Sequence, residues 1–261
     1  MALQIHNSMT REKEVFEPLQ EGVVGIYICG PTVYGHCHIG HAKSYMAVDV
    51  LRRWLEYRGH GVRHAQNFTD IADETVQMAV RDAVSEAELT ARYESEFLTQ
   101  MDALGNLKPH ALPRASEVAE GIGVLAARLL AEGRAYDSEG GIWLSVEEEE
   151  HGALLGTEIG AALCEPASAV DSGPKRGPFD FMLWGPQLPG GRSWSPDGIP
   201  PGRPGWHIEC TLMASHYPGL PLDIHFGGAD LAYPHHECEL LLADALGMGE
   251  YCRTWMHNGL M

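Results

Sequence analysis

The spacing of apolar residues changes along the chain, and each change marks an element. Val23 to Cys29 (VVGIYIC) is a short, β-branched run that Gly30-Pro31-Thr32 breaks, which reads as a buried strand. From Ile39 to Tyr57 the spacing turns helical, with Tyr45, Val48, Leu51 and Leu55 on one face and Gly59 as the stop. Val62 to Asn67 predicts a second strand. Strand, glycine-containing turn, helix and strand make the βαβ unit of a parallel sheet.

Residues 72–104 and 115–134 read as helices, the second ending at Gly133. Between 137 and 204 the chain turns rich in glycine, proline and acids and loses its long periodic runs, as an insertion into the sheet domain would. Leu222 to Phe226 predicts a short strand before Gly227-Gly228. Pro234 then suits the first turn of a helix running to Leu246, and residues 251–256 predict a last strand. The expected fold is an α/β, Rossmann-like domain with a parallel sheet. Residues 1–104 would form its first half, 105–200 a connective insertion and 201–261 its second half, with a ligand crevice at the carboxyl ends of the strands.

Charge narrows the partners. Acidic residues number 36 against 18 lysines and arginines, a net charge of −18, and the lysines are only Lys13, Lys43, Lys108 and Lys175. Such a surface repels phosphate backbones and argues against a broad nucleic-acid footprint; a halophilic source would account for the same excess. The cysteines at 29, 37, 164, 210, 238 and 252 lack the compact spacing of a disulfide framework. Neither an apolar leader nor a run of about 18 apolar residues occurs. The expectation is a cytoplasmic protein with free thiols and no membrane partner.

Two features carry chemistry. His38-Ile39-Gly40-His41 lies where the first strand hands over to its helix. Unpaired N–H groups and the positive dipole end of the helix collect there, and glycine lets an anion approach the backbone. Two histidines at that point can donate to a phosphate as its charge builds, although the same four residues read equally well as surface histidines beside a turn. His235 and Glu239, one helical turn apart, point the same way, and Cys29 and Cys210 sit at the ends of other motifs. Zinc accepts all these residue types. Without paired cysteine spacing, ordinary buried thiols remain the alternative.

The order of the motifs goes further. Tyr27-Ile28-Cys29-Gly30-Pro31-Thr32-Val33-Tyr34 precedes the histidine motif, and Asn67-Phe68-Thr69-Asp70-Ile71 follows the second strand. Then come Gly202-Arg203-Pro204-Gly205-Trp206-His207-Ile208-Glu209-Cys210, Asp223-Ile224-His225-Phe226-Gly227-Gly228-Ala229-Asp230-Leu231, Pro234-His235-His236-Glu237-Cys238-Glu239 and Trp255-Met256-His257-Asn258-Gly259. From about residue 20 onward the chain resembles the catalytic domain of cysteinyl-tRNA synthetases, a class I family, most strongly at 26–71 and 201–259.

That resemblance implies ATP-dependent activation of L-cysteine to cysteinyl-adenylate and its transfer to tRNA(Cys), with Mg2+ accompanying ATP. It implies one zinc ion on Cys29, Cys210, His235 and Glu239, and stabilisation of the first transition state by His38 and His41. Thr69, Trp206 and His225 would line the cysteine pocket. Gly30, Thr32, Ser44 and Asn67 would contact the adenylate, and Gly228 and Asp230 would form the adenosine loop. Zinc would tell cysteine from the nearly isosteric serine by binding a thiolate, where a hydrophobic pocket discriminates poorly.

The chain departs from the family pattern at Lys43, where arginine is usual, at Gly185, where lysine is common, and at the Phe226-Gly227-Gly228 loop, where a third glycine is common. The family's Lys-Met-Ser-Lys-Ser loop and anticodon-binding domain are not among these 261 residues. The expectation is therefore a C-terminally truncated form, either a fragment or a short paralogue. Two other readings accompany it: a cysteine-activating amide ligase acting on a small amine, like the ligase of mycothiol synthesis, and an inactive zinc- and cysteine-binding paralogue.

Overall fold

The computed structural model describes residues 2–147, 150–154 and 173–260. Its centre is a parallel sheet of four strands in the order β10-β9-β3-β4, namely β3 (Val23–Ile28), β4 (Gly61–Gln66), β9 (Leu222–Gly228) and β10 (Cys252–Asn258). β3 explains why the sheet is covered twice. Val24, Ile26 and Ile28 point into one core, Tyr27 and Cys29 into another, so alternate residues of one strand serve opposite faces.

The first face is covered by α1 (Ile39–Tyr57), α2 (Asp73–Asp82) and α3 (Glu86–Ala103). Tyr45, Val48, Leu51 and Leu55 of α1 pack there beside Phe97 and Met101 of α3. The expected helix over 72–104 is two helices. Ala83 adopts a left-handed conformation (φ 54°) that ends α2, and the Ser85 side chain caps α3 by accepting from the Glu88 N–H at 3.2 Å. The second face is covered by α5 (Trp206–Ala214) and α6 (Glu237–Ala245), which bring Cys210, Met213, Ala214 and Ala243 onto Tyr27 and Trp255.

A short hairpin, β1 (Gln4–Asn7) with β2 (Glu12–Val15), precedes the sheet domain. After α4 (Ala115–Ala131) comes the glycine- and proline-rich region. Its described part forms an antiparallel sheet of four strands: β5 (Ala135–Ser138), β6 (Gly141–Leu144), β7 (Phe181–Pro186) and β8 (Gly202–Pro204). Strands this short carry little periodicity, which is why the region shows no long periodic runs in the sequence. A third core joins this sheet to the rest, with Ile122, Ala126 and Leu129 of α4 meeting Leu183, Trp184, Ile208 and Leu242. Pro234 does not open a regular helix. It lies in a wide turn, Ala232–His236, with Tyr233 extended (φ −140°, ψ 136°), and α6 begins at Glu237.

Candidate functional site

The strands β3, β4, β9 and β10 run the same way, so the segments that follow them gather at one edge of the sheet. A crevice opens there, lined by residues that include Cys29, Gly30, Thr32, His38, His41, Ser44, Trp206, Gly228 and Asp230.

Behind it, reached through Cys29 on its wall, lies a buried group of side chains able to ligate a metal. One candidate ligand atom from each of Cys29, Cys210, His235 and Glu239 lies within 4.8 Å of all the others. Cys29 Sγ is 3.4 Å from Glu239 Oε1, and His235 Nε2 is 3.4 Å from Cys210 Sγ and 3.2 Å from Glu239 Oε1. Metal–ligand bonds of about 2.0–2.3 Å in a tetrahedral site place donor atoms roughly 3.3–3.8 Å apart, so these side chains can hold a metal ion. Three elements build the group: the end of β3, the middle of α5 and the first turn of α6 with its preceding turn. A second set, Cys29, His225, His236 and Glu239, overlaps the first and is equally buried.

Electrostatics favours ionisation of the carboxylate but not of the thiols. Burial and the proximity of Cys210 push the Cys29 thiol well up, and burial raises Cys210 as well. Burial also acts to raise Glu239, but the His225 and His235 imidazoles and the Tyr251 hydroxyl outweigh it and hold the carboxyl below the usual range. Two thiols buried together are poor acids on their own. A divalent cation held by these side chains would supply the charge that favours their thiolate forms.

Around this group the predicted pocket residues divide. Trp206 lines the open crevice and stacks on the His235 ring at a centroid distance of 4.2 Å. Thr69 and His225 lie behind it, wholly buried. Thr69 Oγ1 donates to Glu209 Oε2 at 3.3 Å, and His225 Nε2 sits 3.0 Å from Glu239 Oε2. Asn67 is likewise covered, by Gly30, whose N–H donates to Asn67 Oδ1 at 2.8 Å.

The histidine motif caps α1. His38 Nδ1 accepts from the Gly40 N–H at 3.1 Å, and the His38 N–H donates to His41 Nδ1 at 3.2 Å, while the two rings stack 4.0 Å apart. Because both Nδ1 atoms accept, each neutral ring carries its proton on Nε2. Burial, helped by His38, lowers the pKa of His41. The motif thus presents two neutral N–H donors at a helix N-terminus, an arrangement suited to an anion.

Several contributors carried no signal in the sequence. Tyr251 precedes β10 as an isolated tyrosine, yet its hydroxyl donates to Glu239 Oε2 at 2.7 Å. His207 Nδ1 lies 2.9 Å from His235 Nδ1, leaving Nε2 of His235 toward the sulfur and carboxylate. His236 Nδ1, His257 Nε2, His257 Nδ1 and Ser8 Oγ form a chain with steps of 2.8 and 2.7 Å. Paired spacing alone cannot say which of His235 and His236 faces Cys210; only the turn before α6 decides it. Cys238 packs in the core with Leu242, and Cys252 bonds the Thr254 carbonyl. Cys164 lies outside the described residues.

The family model described as "tRNA synthetases class I (C) catalytic domain" matches residues 15–261. A cysteine–tRNA ligase of Gloeothece citriformis is 41% identical over all of this chain and 55% of its own length. One of Pelobacter propionicus is 42% identical over all of this chain and 53% of its own length. The chain therefore spans about half the length of the curated relatives it matches. Among solved structures, a methionyl-tRNA synthetase of Mycobacterium tuberculosis in complex with methionyl-adenylate superposes with a TM-score of 0.65. It is 17% identical, and the match covers 91% of this chain and 57% of that one. A putative arginyl-tRNA synthetase of Campylobacter jejuni gives 0.56 at 12% identity, over 94% of this chain and 56% of that one. These likenesses show the shared fold.

Proposed function

This chain belongs to the class I cysteinyl-tRNA synthetase catalytic-domain family, and from that premise we propose that it activates L-cysteine with ATP to cysteinyl-adenylate, the first half of cysteine–tRNA ligase chemistry. The observation that carries the reading is the buried Cys29, Cys210, His235 and Glu239 group, which meets through Cys29 a crevice also lined by His38 and His41. The donor set and its spacing fit zinc. Held by those four side chains, zinc would bind the substrate sulfur as thiolate and so separate cysteine from serine.

The chain's own residues supply the rest. Gly30 has no side chain to block the crevice wall, where an added Cβ would lie 1.6 Å from the Asn67 carbonyl oxygen. Trp206 closes the side of the pocket against His235. The Nε2–H groups of His38 and His41 donate to the phosphate oxygens of Mg2+-bound ATP as the cysteine carboxylate displaces pyrophosphate. Asp230, exposed at the end of the β9 loop, accepts from ribose hydroxyls, with Gly228, Thr32 and Ser44 along the adenylate. Little covalent chemistry falls to the protein, so positioning and electrostatics supply the rate. Transfer to the terminal ribose of tRNA(Cys) is the second half-reaction proposed for the whole protein.

The test is cysteine-dependent exchange of labelled pyrophosphate into ATP, with serine as control and zinc assayed in the same sample. Exchange with cysteine alone and one zinc per chain supports the proposal. Zinc and cysteine binding without exchange would reject activation by this chain.

A further inference from the structure

A second cavity lies beside the crevice along α1, between that helix, β4, α3 and the loop at 104–109. It holds about 160 Å³, less than the pockets that take drug-sized ligands and suited to a ring system no larger than one or two rings. Its walls are apolar and partly aromatic: Tyr45 and Phe97, edge to face at 5.1 Å, with Val48, Leu98 and Met101. Asp49, Asp102, Asn106 and Lys108 contribute polar groups, and deepest among the polar lining are His64 and Gln66, alternate residues of β4 that face the same way and are each only 4% exposed.

His64 is the unusual member. Among the described residues neither of its ring nitrogens has a hydrogen-bond partner. Burial, with Arg52 and His110 nearby, pushes its pKa down to about 3, so the ring is neutral and offers one donor and one acceptor. A buried polar group left unpaired is costly and calls for a partner. The charges around the cavity are already committed. Asp49 accepts from Arg53 Nε at 2.7 Å and from the Leu107 N–H at 2.9 Å, and Arg52 Nε donates to Glu56 at 2.8 Å. The other charged residues that line it, Asp102 and Lys108, are exposed to solvent, so among the described lining residues no buried charge is left to pair with an ion.

We propose that this cavity is a binding site for an uncharged, planar heteroaromatic molecule of one or two rings, its hydrogen-bonding edge met by His64 and Gln66 and its faces by Tyr45, Phe97 and Met101. Tyr45 lines the crevice as well, and its hydroxyl donates to the Cys29 carbonyl at 3.4 Å. Occupancy would therefore be felt at the metal-ligating end of β3, a consequence that rests on the function proposed above; binding itself does not.

The experiment is calorimetric titration of the full chain, without ATP or cysteine, using 7-azaindole as the probe and indene, its apolar analogue, as control. The expected result is saturable 7-azaindole binding that is about tenfold tighter than indene binding and falls about tenfold in His64→Leu. Met101→Trp, which fills the cavity, should abolish both. Should His64→Leu fail to fold, the His64 ring 15N shifts of the unmutated chain should move on adding 7-azaindole. Equal affinity for the two probes, undiminished binding by His64→Leu, absence of saturable binding or unmoved ring shifts would each overturn the proposal.

Discussion

The Tyr251 hydroxyl holds the Glu239 carboxylate, donating to Oε2 at 2.7 Å while Oε1 turns toward Cys29 and His235. The two oxygens of one carboxylate thus have separate duties: one faces the metal-ligating atoms, and the other is fixed by Tyr251 and His225. Outer contacts of this kind set ligand orientation, and their loss commonly weakens metal affinity by about 10–100-fold. Tyr251→Phe should therefore lower zinc affinity by that factor in a chelator competition, with circular dichroism unchanged. Unaltered affinity would mean that His225 alone orients Glu239.

Gly30 permits the end of β3 to touch the segment after β4. A Cβ at that position would sit 1.6 Å from the Asn67 carbonyl oxygen, backbone that cannot swing away as a side chain would. Gly30→Ala should cost about 1–3 kcal/mol or more in urea unfolding and should reduce pyrophosphate exchange, because Cys29 is the preceding residue. Wild-type stability in the variant would show that β3 and β4 can part freely there.

How far these residues could be read beforehand follows from what makes each element form. α1 and β3 were legible because their burial repeats at the periods of a helix and a buried strand, and α1 begins and ends where the spacing of Tyr45, Val48, Leu51 and Leu55 places it. The break at Ala83 was not, since alanine carries no preference for a left-handed turn; only Ser85 two residues later hints at a new helix start. β5 to β8 were hidden by their length and by the turns between them. In the site, residue type and spacing left ordinary buried thiols as an alternative, and it was the resemblance to the family that nominated Cys29, Cys210, His235 and Glu239 together. Tyr251 and His207 could not be nominated, because their contribution depends on tertiary contacts alone.

Two histidines, His64 buried and His257 half-buried, should make the fold acid-sensitive. Burial first, then Arg52 and His110, pushes His64 from 6.5 to about 3, and burial with His225 nearby pushes His257 from 6.5 to about 4. Below about pH 6.5 the unfolded chain binds these protons while the native chain does not. Stability is therefore fully present above that pH and is lost as pH falls toward the folded-state values, at up to about 1.4 kcal/mol per pH unit for each group. Urea unfolding between pH 7 and pH 4.5 should show this slope, and His64→Leu should make it shallower by about one proton. An identical slope in the variant would mean that His64 titrates normally.

His38 has two separable jobs, and two substitutions at that one position divide them. As the residue before α1 it caps the helix through Nδ1, which accepts from the Gly40 N–H at 3.1 Å. As a donor it offers Nε2–H to the crevice. Asparagine is a strong capping residue but is too short to replace the outer ring nitrogen; alanine supplies neither function. If His38 stabilises charge in the transition state, His38→Asn and His38→Ala should lose pyrophosphate exchange by a similar factor, about 10²–10³. Only the alanine variant should also lose about 1 kcal/mol of stability. The control lies in the pairing: His41 Nδ1 is held by the His38 backbone N–H, which both variants keep, so the second donor stays in place. Exchange that recovers in His38→Asn along with stability would reduce His38 to a cap and leave His41 as the donor that matters.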